Sequence, residues 1–231
     1  MNSTKKTARI AGVLYFVNAV TGFFSIIYVP SKLFVPGNAA ATAHNILASE
    51  RLLRLGIAAE VICAVEYIYL LWVLYRLLSG VSKAHASLMV IFGVAFVPVM
   101  CMNAVSQTTA LMLLRGADFL PLFSQPQRES LAMLYLGVRR SGYDVGWIFG
   151  LWLFHFGVCV WKSGFLPRFL GALLIAACFG YLAISLTTFL LPSYVNLVSR
   201  LANIPLTLGE PAAILWLLIR GAEDRPLQAG A

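Results

Sequence analysis

"LLRLGIAAEVICAVEYIYLLWVLY", residues Leu52 to Tyr75, is long enough to cross a bilayer as a single helix, because about 20 apolar residues cover the hydrocarbon core. Two carboxylates, Glu60 and Glu66, stand inside it. With the centre-of-helix cost of Asp as a guide, each glutamate opposes insertion by about 2.5–3.5 kcal/mol, and roughly fifteen apolar neighbours at about −0.3 to −0.6 kcal/mol offset that. The segment inserts, provided that each carboxylate faces protein or water rather than lipid. Six residues of separation place the two side chains about 120° apart around the helix and about 9 Å apart along it. They form no dyad, so each needs a partner of its own.

The rest of the chain extends that reading. With 60% hydrophobic and 11% charged residues and a mean hydropathy of +0.84, its composition lies outside the range of soluble domains. Room exists for six spans, at about Ile10 to Val29, Leu52 to Leu78, Leu88 to Leu114, Tyr143 to Trp161, Phe169 to Leu191 and Ile204 to Ile219. Each is apolar around most of its circumference, which favours helix over the alternation of a membrane barrel strand. The expected architecture is an all-α, single-domain, polytopic integral membrane protein, a bundle of six transmembrane helices. The first apolar stretch exceeds the roughly 7 to 15 residues of a signal-peptide core, so it reads as an uncleaved span.

Six spans starting from a cytoplasmic Lys5, Lys6 and Arg9 put nine of the 17 basic residues on the inner side, in short segments, and eight in longer outer ones. The positive-inside rule then places both termini in the cytoplasm. The net charge of +8 reads as topology and affinity for anionic lipid, not as nucleic-acid binding, which requires a clustered basic face. Cys63, Cys101, Cys159 and Cys178 all fall in spans, with no CxxC spacing. His155 and Cys159 lie one turn apart without a third ligand, so neither metal nor cofactor is expected.

The outer loops carry structure of their own. Asn38 precedes an Ala-rich stretch that predicts a short interfacial helix. The segment from Ser124 to Val138 predicts a second, with Leu131, Leu134, Tyr135 and Val138 on one face.

Polar residues concentrate toward the outer half of the spans. Glu60 lies below Arg54 and Arg51, and Asp144 opens the fourth span behind Arg139 and Arg140. Asn103, Ser106, Gln107 and Ala110 form a stripe on the third, above a kink expected at Pro98. Pro205 and Pro211 flank Gly209 and Glu210 and predict a kinked or broken sixth helix, of the kind that lines solute cavities. Gly142, Gly146 and Gly150 predict close helix packing.

The candidate ligand-binding residues are therefore Glu60, Asn103, Gln107, Asp144 and Glu210, with Arg54, Arg139 and Arg140 at the mouth, Glu66 as a deeper proton relay and His155 on the same face as Asp144. One reading is a network of carboxylate and guanidinium pairs that fastens the helices. Another is a polar pocket for a small solute, a cation or a proton, with transport calling for a homodimer because no internal repeat is evident. A membrane enzyme using Glu66 or Glu210 for acid–base work, and a non-catalytic membrane partner or sensor, complete the alternatives.

The stretches "AATAHNILASERLLRLGIAAEVI", "GYDVGWIFGLWLFHFGVCVWKSGFLPRFLGALLIAACFGYL" and "LGEPAAILWLLIRG" resemble a bacterial family of six-span membrane proteins known as domain of unknown function 4386. The most recognisable pieces are Arg54 to Ile57, Gly164 to Arg168 and Leu208 to Glu210. The resemblance covers nearly the whole chain and implies six helices in a bacterial inner membrane. It implies no activity and no catalytic residue.

Overall fold

The computed structural model describes residues 3–116 and 122–223. Among these residues every regular element is helical, and six helical runs are long and apolar enough to cross a membrane. The protein is an all-α polytopic membrane protein.

The first run, Thr4–Leu33, comprises α1 (Ser3–Gly22), a π-helical turn (Phe23–Tyr28) and α2 (Val29–Leu33). It outlasts the expected end at Val29 because Pro30 sits near the start of α2, where its missing N–H is tolerated. Next comes α3 (Ala39–Ala48), the short helix expected after Asn38, whose first turn is closed by the Asn38 side chain accepting from the Ala41 amide at 2.9 Å. Asn38→Ala should cost about 1 kcal/mol, read as a lower melting temperature and faster amide exchange at Ala41. An unchanged exchange rate would show that the cap contributes nothing.

After α4 (Glu50–Leu78), α5 (Lys83–Arg115) runs unbroken through Pro98. The stretch from Ser124 is helical, as expected, but it is not separate from the fourth span. α6 (Gln125–Gly146), a 3₁₀ turn (Trp147–Gly150) and α7 (Leu151–Ser163) make one continuous run of 39 residues. The one proline between Gln125 and Gly146, Pro126, stands in the first turn, where its missing N–H is tolerated, so the amphipathic part continues into the apolar part. α8 (Arg168–Leu190) follows, and α9 (Val195–Ile219) is a single helix through both Pro205 and Pro211. Of the kink or break expected there, the break does not occur. Each proline removes one bond from the ladder, and the remaining turns of a 25-residue helix hold it together.

Two compact units share these helices. One comprises residues 1–17, 66–97 and 144–231, and the other residues 18–65 and 98–143. In the first, α8 packs on α7 and α9 around a core that includes Leu70, Leu74, Leu153, Phe156 and Leu174. Gly157 and Gly171 face each other so closely that a Cβ built on either would lie 2.7 Å from the other's carbonyl oxygen. The second unit closes over Val29, Leu33, Ile46, Leu53 and Ala110. Large apolar side chains such as Ile62, Met102, Phe179 and Leu215 are left exposed, as lipid-facing surfaces require.

Candidate functional site

The second unit contains a buried polar cluster built on a defect in the first helix. In the π-helical turn the amide of Val29 donates to Phe24 O, one residue further back than in an α-helix. The carbonyl of Ser25 therefore receives nothing from Val29, and the next residue, Pro30, has no amide hydrogen. That orphaned carbonyl accepts instead from Arg139 Nη2 at 2.9 Å. A buried backbone acceptor must find a partner, and here it finds a guanidinium.

Arg139 is itself only 5% exposed. The same Nη2 stands 3.7 Å from Glu60 Oε2, and the guanidinium lies over the Tyr143 ring at 5.1 Å. Glu60, 1% exposed, takes its short hydrogen bonds from neutral donors: Tyr143 Oη to Oε1 at 2.6 Å and Gln107 Nε2 to Oε2 at 2.7 Å. Arg139 and Tyr143 are four residues apart on α6, as are Asn103 and Gln107 on α5, so each helix presents its pair on one face. Asn103 is buried, and its side-chain amide occupies the space that a Cβ at Gly142 would need.

At 3.7 Å and the effective dielectric of about 20 typical of proteins, opposite unit charges attract by about 4 kcal/mol. Desolvation costs several kcal/mol per ion, so the pair is close to balanced. It specifies an arrangement more than it adds stability.

Gln107 Oε1 and the Nε of Arg139 are buried without a hydrogen-bond partner. With Asn103 Nδ2, likewise buried without a partner, the cluster retains one acceptor and two donors beyond those it uses internally.

The first unit holds a different kind of site. Glu210 on α9 accepts from Tyr15 at 2.6 Å through Oε2 and from Tyr181 at 2.7 Å through Oε1. Tyr15 packs edge-on against Trp152, which also meets Tyr67 edge-on and stacks on Phe156. His155 meets His85, a residue not singled out in the sequence, with 3.0 Å between their Nδ1 atoms, and stacks on Phe92. One imidazole donates and the other accepts. Among the described residues no group of three or more His, Cys, Asp and Glu is placed to hold a metal ion.

Of the residues read from the sequence as one site, the structure brings Glu60, Asn103, Gln107 and Arg139 together. Glu210 and Asp144 belong to the first unit, where Glu210 takes its tyrosines and the Asp144 carbonyl accepts from Ser185 Oγ at 2.7 Å. Glu66, half-buried, begins that unit's segment of α4. Arg54 turns outward to Glu50, its i−4 neighbour, at 2.7 Å. Arg140 is exposed while Arg139 is buried, because adjacent helical residues point about 100° apart. Tyr15, Tyr143, Tyr181 and the Ser25 carbonyl were not read as site groups. Tyr143, at the start of an expected span, resembles an interfacial anchor, and the only trace of the freed carbonyl in the sequence is Pro30.

Helices of membrane length carrying buried, hydrogen-bonded carboxylates define a polytopic α-helical membrane protein. The chain belongs to the family described as domain of unknown function (DUF4386), which it matches over residues 10–221. It is also similar to an uncharacterized protein of Archaeoglobus fulgidus, 31% identical over 149 residues, which are 64% of this chain and 72% of the relative. No solved structure matches.

Proposed function

We propose that the protein binds a small polar solute at the Glu60 cluster, in a transport-like or receptor-like role without catalysis. The observation that supports this is the unused hydrogen-bonding capacity of Gln107 Oε1 and Arg139 Nε, both buried. Leaving such groups unsatisfied costs about 1–3 kcal/mol each, which a network built only to fasten helices would avoid. Glu60 and Arg139 balance in charge, so the fitting solute is uncharged or zwitterionic, with a donor for the amide oxygen and an acceptor for the guanidinium.

The competing reading is a purely structural network, favoured by the fact that both Glu60 oxygens already accept hydrogen bonds within the unit. Thermal-shift screening of the protein in lipid nanodiscs against small amides, polyols and amino acids separates the two. A solute held at about 100 times its Kd should stabilise by about 2.7 kcal/mol. The shift should vanish in Gln107→Leu while that variant still folds. If no solute shifts the wild type and a structure in lipid places only water on these two atoms, the fastening network is the answer.

The charge distribution supports a cytoplasmic membrane with both termini inside, and the exposed apolar surface supports the lipid bilayer as the standing partner. Transport by six spans without a repeat would call for a homodimer.

A further inference from the structure

We infer that Glu210 is a reversible proton-binding site, separate from the Glu60 cluster and independent of the solute proposed there. Its geometry differs from that of Glu60 in the feature that matters for proton exchange. Glu60 has a guanidinium within 4 Å. Glu210 has two phenol hydroxyls, one on each carboxylate oxygen, at 2.6 and 2.7 Å, and among the described residues it forms no ion pair with Lys, Arg or His.

A hydroxyl both donates and accepts, and this makes the clamp work in two states. With Glu210 as carboxylate, Tyr15 and Tyr181 each donate their single proton to it. When one carboxyl oxygen takes up a proton, the new O–H donates to the tyrosine oxygen facing it, and that tyrosine turns its own hydrogen away. No heavy atom has to move and no ion pair has to break. The balance is one proton gained and one negative charge lost, with no other reactant.

The surroundings fit a proton better than a metal ion. Hard cations take six or more oxygen ligands, whereas one carboxylate and two phenols offer four oxygens, and no metal-ligating cluster occurs among the described residues. The titratable groups turned toward the site are Tyr15 from α1, Tyr181 from α8 and, interacting electrostatically with both phenols, Tyr67 from α4. From α7 the neighbours are Trp152 and Phe156, which carry no charge. Carboxylates within membrane-spanning helices mark proton relays among other pathways, and this one is met by neutral donors.

The test is infrared difference spectroscopy of the full chain in nanodiscs, stepped from about pH 4 to about pH 9, the range covered by free and perturbed carboxyl groups. A band from a protonated carboxylic acid should appear and disappear reversibly and move to lower frequency in heavy water. It should be absent from Glu210→Gln and present in Glu60→Gln. Tyr181→Phe removes one hydrogen bond and should shift its frequency, which keeps the test open if the Gln variant does not fold. A band unaffected by both Glu210→Gln and Tyr181→Phe, a band lost only in Glu60→Gln, or no titrating band at all would overturn the assignment.

Discussion

Arg139→Met is expected to destabilise the protein by about 3–5 kcal/mol, the penalty typical of removing one partner from a buried ion pair. The substitution keeps most of the side-chain volume but takes the charge from beside Glu60 and the donor from the Ser25 carbonyl. Two buried acceptors are then left short, one of them charged. Adding Glu60→Gln should recover much of the loss, since it removes the uncompensated charge while the Tyr143 hydroxyl can still donate to the amide oxygen. Reversible unfolding in mixed micelles on the four members of this cycle measures the coupling. If Arg139→Met is as stable as wild type, or the double variant is no better than the single, the pair does not organise this unit.

The Gly157→Leu variant should fail to assemble its unit, or lose more than about 3 kcal/mol, the upper end for overpacking a tight core. A Cβ there would stand 2.7 Å from Gly171 O, 2.8 Å from Ile175 Cγ1 and 3.2 Å from Ile175 N. Two of those atoms are backbone, which cannot rotate aside, so α7 and α8 would have to separate along their length. Gly137→Ala is the matched comparison, because nothing lies within 4 Å of its Cβ position. Replacing that helical glycine should be neutral or stabilising by up to about 1 kcal/mol. Melting temperatures in detergent decide between the cases. Equal effects at the two positions would mean that the α7–α8 crossing is not tight.

The helical class and the number of spans could be read from residue chemistry alone. Long runs such as Leu52 to Tyr75 can satisfy their backbone in hydrocarbon only by coiling, whatever their neighbours do. The Asn38 cap was legible for a similar reason, since it acts over three residues. Helix phase also marked Asn103 and Gln107 as one stripe, and the expense of Glu60 in an apolar segment marked it as needing a partner.

Tertiary structure decided which partner each polar group took. Sequence depth grouped Glu60, Asp144 and Glu210 together, whereas Glu60 is met by Arg139, Tyr143 and Gln107 and Glu210 by Tyr15 and Tyr181. The partners of Glu60 lie 47 to 83 residues away in the chain, and such pairings depend on how helices rotate and cross. The unbroken α9 and the continuous run through α6 were likewise settled by neighbouring turns rather than by the prolines or the polar face. Hydropathy acts residue by residue and is written in the chain; a hydrogen bond between helices exists only after packing has fixed the face that each helix turns inward.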